Sequence, residues 1–264
     1  MSQPEFSPVD LQNLQYAKRL LERPSLAARI ANIAGVPIEM GFEILPNSAK
    51  EIIATAIQKA LLRALHFAVA TMSEGQQSAS NLLHKAAVMV SGAAGGTFGI
   101  PALPIELPVS TTIMLRSIMD VARSEGEVIQ SAEARLACLE VFALGGRART
   151  DDATDAGYYF VRTALAKAVM EAAEYIAERT VVEESAPPLL RLIAQIGTRF
   201  GIQVSEKATA QALPIIGLAG GAMINAIFID HFQDMARGHF IVRRLERAYG
   251  EEAVKAAYSS ILLD

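Results

Sequence analysis

Apolar residues recur at three- and four-residue spacing along nearly the whole chain, beginning with Leu11, Leu14, Ala17, Leu20 and Leu21 behind Ser7 and Pro8. That spacing draws one face of an amphipathic helix, and Ser-Pro supplies its cap and first-turn proline. The first helix is expected to stop near Pro24, a second spans 26–33 before Gly35 and Pro37, and a third covers roughly 48–72. Further helices are expected over 109–123 with Pro108 in the opening turn, over 133–144 closed by Gly145 and Gly146, and over 154–179. Val161, Leu165, Val169, Ala172 and Ile176 line one face of the last of these. Pro187 and Pro188 then open a helix ending at Gly201, a long helix runs to about Tyr249, and a short one covers 251–263. Period-two alternation is nowhere sustained and no strand–helix–strand rhythm occurs. The pattern predicts an all-α fold: an N-terminal helical segment over 1–47, then one compact multi-helix domain over 48–264.

Two stretches break the amphipathic rhythm. Residues 86–105 and 208–229 carry no charged side chain, and each holds a cluster of glycines: Gly92, Gly95, Gly96 and Gly99 in the first, Gly217, Gly220 and Gly221 in the second. The local strings Gly92-Ala-Ala-Gly95-Gly96 and Gly217-Leu-Ala-Gly220-Gly221 are nearly the same, which marks them as quasi-equivalent. In a helix each glycine costs about 0.8–1 kcal/mol against alanine, so the clusters oppose helix formation unless something offsets them. Close backbone approach is the physical candidate, because a stripe of small residues lets a neighbouring helix come near. The expectation is two glycine-rich apolar helices at the centre of the domain, closely packed. Asn225, on the face of Gly217 and Gly221, would need a buried partner there. Pro101 and Pro104 on one side and Pro214 on the other leave about 14 and about 16 helical residues, against about 20 for a bilayer span. A buried core helix or a shallow, re-entrant segment suits those lengths better than a crossing.

Composition sharpens this picture. Of 264 residues, 52% are hydrophobic and only 20% charged, and the mean hydropathy is +0.28, on the apolar side for a soluble domain. Aromatic residues make up only 6%, so alanine and the aliphatic residues supply the apolarity, as suits close-packed helices. A net charge of −4 and a pI near 5.7 remove the electrostatic footprint of a nucleic-acid binder, and no nucleic-acid partner is expected. The sole cysteine, Cys138, cannot form an internal disulfide, and residues 1–10 show neither a basic nor an apolar leader region. A cytoplasmic address is the expectation.

Candidate chemistry is sparse. The richest polar cluster is Asp230-His231-Phe-Gln-Asp234-Met-Ala-Arg237-Gly-His239. Helical zinc sites place two histidines four apart, whereas these are eight apart, so neither a metal nor a cofactor is expected. His239 falls on the apolar row of Phe228, Phe232, Met235 and Val242 and reads as a core histidine. Glu106, a lone carboxylate between Pro104 and Pro108, should be desolvated and needs a partner such as Arg116 or His239. An enzymatic reading would use Glu106 with His231 or His239 as acid and base. Arg116, Asn225, Asp230 and Asp234 are the remaining candidates for a ligand or core polar role. Arg116, Asp120 and Arg123 read as a solvated face with weak ion pairs, and so do Arg243, Arg244 and Arg247, which as basic residues near a final turn also complement a helix dipole or touch anionic headgroups. Cys138 has no histidine beside it, and no phosphate loop, nucleophile elbow or zinc-helix motif occurs.

One set of residues carries a resemblance. Gly95-Gly96, Pro101, Pro104, Glu106, Pro108, Arg116-Ser117-Ile118 through Gly126, then Pro214-Ile-Ile-Gly217, Gly220-Gly221-Ala222, Asn225, residues 236–240 and Arg244-Leu245-Glu246 resemble the bacterial EcsC family, over roughly residues 50–250. The resemblance implies a membrane-associated protein of the kind encoded beside an ABC transporter, and it transfers no catalytic residue. The expectation that follows is a non-enzymatic, membrane-peripheral accessory or a lipid- or apolar-ligand-binding protein on the inner face of the membrane. Its partners would be a lipid surface or a membrane protein, with the oligomeric state open. A hydrolase-like enzyme and a soluble helical interaction scaffold are the rival readings.

Overall fold

The computed structural model describes residues 6–22, 26–34, 45–70, 100–145, 157–179, 182–183, 185–211 and 217–263. Among these residues the chain forms nine α-helices and no strand: α1 (Pro8–Leu21), α2 (Leu26–Ala34), α3 (Asn47–Ala70), α4 (Leu103–Ser124), α5 (Ala132–Glu140), α6 (Gly157–Ala177), α7 (Pro187–Gln211), α8 (Gly217–Tyr249) and α9 (Glu251–Ser260). The fold is all-α, as the periodicity requires. Short 3-10 turns precede α4 and follow α5.

Local chemistry fixes several boundaries. The Ser7 hydroxyl accepts a hydrogen bond from the Asp10 amide at 3.1 Å, and Pro8 occupies the first helical position of α1. Ser131 caps α5 in the same way through Ala134 N, and Gly145, with φ of 75°, closes the turn behind it. Two boundaries differ from the expectation. Helix α4 opens at Leu103, with Pro104 in its first turn and Pro108 inside it, rather than at Pro108. Helix α7 passes through Gly201 and ends at Gln211. Glycine ends a helix when it must turn left-handed, and here it serves a crossing instead. A Cβ on Gly197 would lie 3.4 Å from Leu61 Cδ1, and one on Gly201 3.5 Å from Ile57 Cδ1, so α7 crosses α3 at these two positions.

The second charge-free stretch is divided between two helices: residues 208–211 finish α7, while Gly217, Gly220 and Gly221 occupy the opening turns of α8. Gly92, Gly95, Gly96 and Gly99 lie outside the described residues, and so does the expected pairing of the two glycine clusters. Helix α8 packs against α1, α4 and α7. Where α1 meets it, a Cβ on Gly238 would fall 2.6 Å from Leu21 Cγ and 3.1 Å from the Ala17 carbonyl oxygen. Phe142, Phe200, Phe228 and Phe232 form an aromatic centre with contacting ring centroids 5.1 to 6.2 Å apart.

Among the described helices, the stretch Asn47–Val69 of α3 is long and apolar enough to cross a membrane by length and composition. Its residues sort by face, however. Ile53, Ala56, Ala60, Leu61, Ala64 and Leu65 are buried, while Glu51, Gln58, Lys59 and Arg63 are exposed, the arrangement of an amphipathic core helix.

Helices α4 and α8 run parallel and in fixed register. Gln233 Nε2 donates to Ser117 Oγ at 3.0 Å and Arg243 Nε donates to Glu127 Oε1 at 2.8 Å, and each contact joins residues 116 apart. The molecule therefore has one end where α4 and α8 begin and an opposite end where they finish.

Candidate functional site

At the first of these ends a carboxylate and an ammonium meet inside the protein. Glu106, in the first turn of α4, accepts a hydrogen bond from Lys207 Nζ at 2.7 Å, and the side chains are 3% and 1% exposed. Lys207 sits on α7 just before its last turn, and its ammonium lies 4.8 Å from the centroid of the Phe228 ring on α8. Glu106 is placed where a helix dipole favours an anion, at the start of α4. Glu106 is thus buried, as the sequence indicates, but its partner is Lys207 rather than Arg116 or His239. Lys207 is the last charged residue before the charge-free stretch 208–229, as Glu106 is the carboxylate that closes the first one, a position that marks each residue but not their contact.

Toward this end of α4, α7 and α8 several buried polar atoms have no hydrogen-bond partner among the described residues: Glu106 Oε2, Thr111 Oγ1, Thr209 Oγ1, both amide atoms of Gln211 and both of Asn225. Asn225 is buried, 2% exposed, and its amide has no partner among the described residues. The surface close by is apolar. Ile105 and Val109 on α4 are 78% and 37% exposed, and Met223 on α8 is 49% exposed. The register of α4 against α8 sets these three at one level.

The histidines belong elsewhere. His239 is fully buried, its Nδ1 3.0 Å from the Tyr158 hydroxyl, and burial with Arg162 and Arg243 nearby holds it well below its ordinary value and neutral. His231 is buried against Gly145 and Met235, and burial with the Arg29 charge holds it at about 3. The Nε2 atoms of both rings have no partner among the described residues, and neither ring hydrogen-bonds to Glu106. His239 is part of a second network in which Arg162 donates to Glu246 at 2.6 Å and Tyr159 donates to the same oxygen at 3.1 Å. Burial pushes the neighbouring Glu140 carboxyl up to about 7.

The other candidates scatter. The Arg116 guanidinium lies over the Phe67 ring at 4.9 Å, Asp234 pairs with Arg237 at 3.3 Å and with Arg29 at 3.7 Å, and Asp230 is exposed. Cys138 is fully buried and burial raises its thiol, which leaves it a poor nucleophile. Among the described residues no group of three histidine, cysteine or acidic side chains is placed to hold a metal ion.

The opposite end of the molecule is ionic. Arg243 and Arg247 both engage Glu127, Arg244 donates to Glu125 at 2.8 Å and reaches Asp10 at 3.5 Å, and Gly126, with φ of 81°, turns the chain between the two glutamates. Burial alone would raise the Glu127 carboxyl, but Arg243 and Arg247 hold it below the ordinary range. The arginine cluster is therefore committed to internal carboxylates and is not a basic face presented to headgroups, as the sequence allowed.

A family model described as the EcsC protein family matches residues 10–245, and the chain belongs to that family. No curated protein and no solved structure gives a significant match.

Proposed function

We propose that this EcsC family member is a non-enzymatic, membrane-peripheral accessory or apolar-ligand-binding protein that meets lipid with the end where α4 and α8 begin. The supporting observation is the asymmetry between its ends. Ile105, Val109 and Met223 are exposed at one end, beside the points where the two charge-free stretches enter the described structure, while at the other the exposed Val9 and Val128 stand among Arg243, Arg244, Arg247 and the carboxylates that pair with them. Exposed apolar side chains grouped at one end of a molecule are the ordinary mark of an interaction site. The address that suits this reading is the cytoplasmic face of the membrane, with a lipid surface or a membrane protein, such as a transporter, as partner.

The enzymatic alternative receives less support. Acid–base work by Glu106 with His231 or His239 needs hydrogen-bond reach, and the Glu106 carboxylate is engaged by Lys207 while both imidazoles are buried and neutral. Vesicle flotation tests the proposal. Because the arginines are already paired, binding driven by apolar insertion should occur on neutral as well as anionic vesicles and should survive high salt. Recovery wholly in the soluble fraction under every condition would overturn it.

A further inference from the structure

Helix α9 is joined to α8 by a single residue. Gly250 takes φ of 88° and ψ of 145°, a conformation open to glycine, and a Cβ there would meet nothing within 4 Å. Of the 10 residues of α9 only Val254 and Tyr258 are buried, and the helix packs on α8 and α1. A helix this short does not sustain itself in water, so its contacts with the body decide whether it stays in place.

Those contacts centre on a cation supplied by α1. Lys18, 5% exposed, donates from Nζ to the carbonyl oxygens of Tyr258 at 2.9 Å and Ile261 at 2.8 Å, and its ammonium lies 5.0 Å from the Tyr258 ring centroid. A lysine of another helix thus satisfies the carbonyl end of α9, where the helix dipole also favours a positive charge. The Tyr258 hydroxyl donates to Glu22 at 3.0 Å, and its ring packs on Tyr158 and Tyr159 with centroids 5.7 and 5.2 Å away. Behind these rings the Tyr158–His239 and Arg162–Glu246 contacts run between α6 and α8, so lifting α9 leaves them made. The bonds that lifting does break join α9 to Lys18 and Glu22, and each is exchanged for bonds to water at small net cost.

We propose that α9 is a strap, clasped by Lys18, that opens about Gly250 while the rest of the protein stays folded, and so uncovers the ring faces of Tyr158 and Tyr159. Opening of one element below the global unfolding transition is expected where few side chains are buried. The device does not depend on the proposed membrane contact.

The test is thiol labelling of full-length Val254→Cys, with Cys138 as the reference in the same molecule, since both positions are 0% exposed. Each rate is taken relative to that of the same thiol in the urea-unfolded chain, and is followed at urea concentrations below the unfolding transition. Position 254 should label about a hundredfold or more faster than Cys138 and with a shallower urea dependence, because opening exposes less surface than unfolding. Adding Lys18→Met should speed labelling at 254 by about tenfold or more, with the slope still shallow. Gly250→Ala should act in the same direction, because alanine is strained at this φ only while the strap is closed. Hydrogen exchange of the unsubstituted protein makes the same comparison between α9 and residues 232–245 of α8, should Val254→Cys not fold. One rate and one urea slope for both thiols, or for both helices in exchange, would overturn the inference, as would an unchanged rate at 254 on adding Lys18→Met.

Discussion

Lys207 Nζ lies 2.7 Å from Glu106 Oε1, and neither side chain reaches solvent. The pair joins the start of α4 to α7 at the apolar end of the molecule, where dehydrating two charges is offset by mutual attraction and, for Glu106, by the dipole of α4. Removing one partner strands the other. Lys207→Met should therefore cost about 3–5 kcal/mol, whereas Glu106→Leu combined with Lys207→Met should restore most of that loss. Urea denaturation of the two variants and the wild type measures the difference directly.

Glycine positions separate into those with room and those without. Alanine fits at Gly197 and Gly201, where its methyl would make ordinary contact with Leu61 and Ile57, so each substitution should gain up to about 1 kcal/mol of helix propensity. At Gly238 the same methyl would collide with Leu21 and the Ala17 carbonyl. Gly238→Ala should destabilise by about 1–3 kcal/mol, as overpacking does, and thermal denaturation should show the opposite signs.

Acid sensitivity should trace to a buried imidazole. Burial and the Arg29 charge lower the His231 pKa to about 3, so below pH 6.5 the unfolded chain takes up a proton that the folded one refuses. Stability contributed by the neutral ring is complete above pH 6.5 and falls as the pH drops toward 3, by about 3 kcal/mol between pH 7 and pH 4.5. His231→Gln should shrink the loss over that interval by about the same amount, read from urea midpoints at the two pH values.

Glu140 acts in the opposite sense. Burial raises its pKa to about 7, so between pH 4.5 and 7 the unfolded chain releases a proton that the folded one keeps. Its contribution falls as the pH rises through that window, by about 3 kcal/mol in all. Glu140→Gln should therefore gain stability on the wild type at pH 8 relative to pH 4.5, in the same denaturation series.

How much of this was legible in the sequence varies with the kind of question. Helical periodicity placed the nine described helices, because burial of one face every 3.6 residues leaves a mark in any single chain. Gly201 misled, since glycine as a crossing point and glycine as a terminator look alike until the neighbour, here Ile57, is known. The burial of Glu106 and His239 could be read from apolar surroundings, but Lys207 lies 101 residues from Glu106 and no local spacing reports such a contact. The arginines near the end of α8 read as a solvated face with weak ion pairs, and which carboxylates they meet, Glu125 and Glu127, was hidden because these arrive on a separate turn. Close backbone approach at a glycine does occur at Gly238, a position outside the two clusters that the sequence did not single out.

The claim that the α4–α8 starting end meets lipid can be tested at single residues. Cys138 is buried with a raised thiol, so an environment-sensitive label will react at an introduced cysteine: Ile105→Cys at the apolar end, or Glu252→Cys, exposed on α9 beyond the ionic end. With vesicles carrying a chain-attached quencher, the label at position 105 should be quenched and the label at 252 should not. Equal quenching at both positions, or none at 105, would contradict the account.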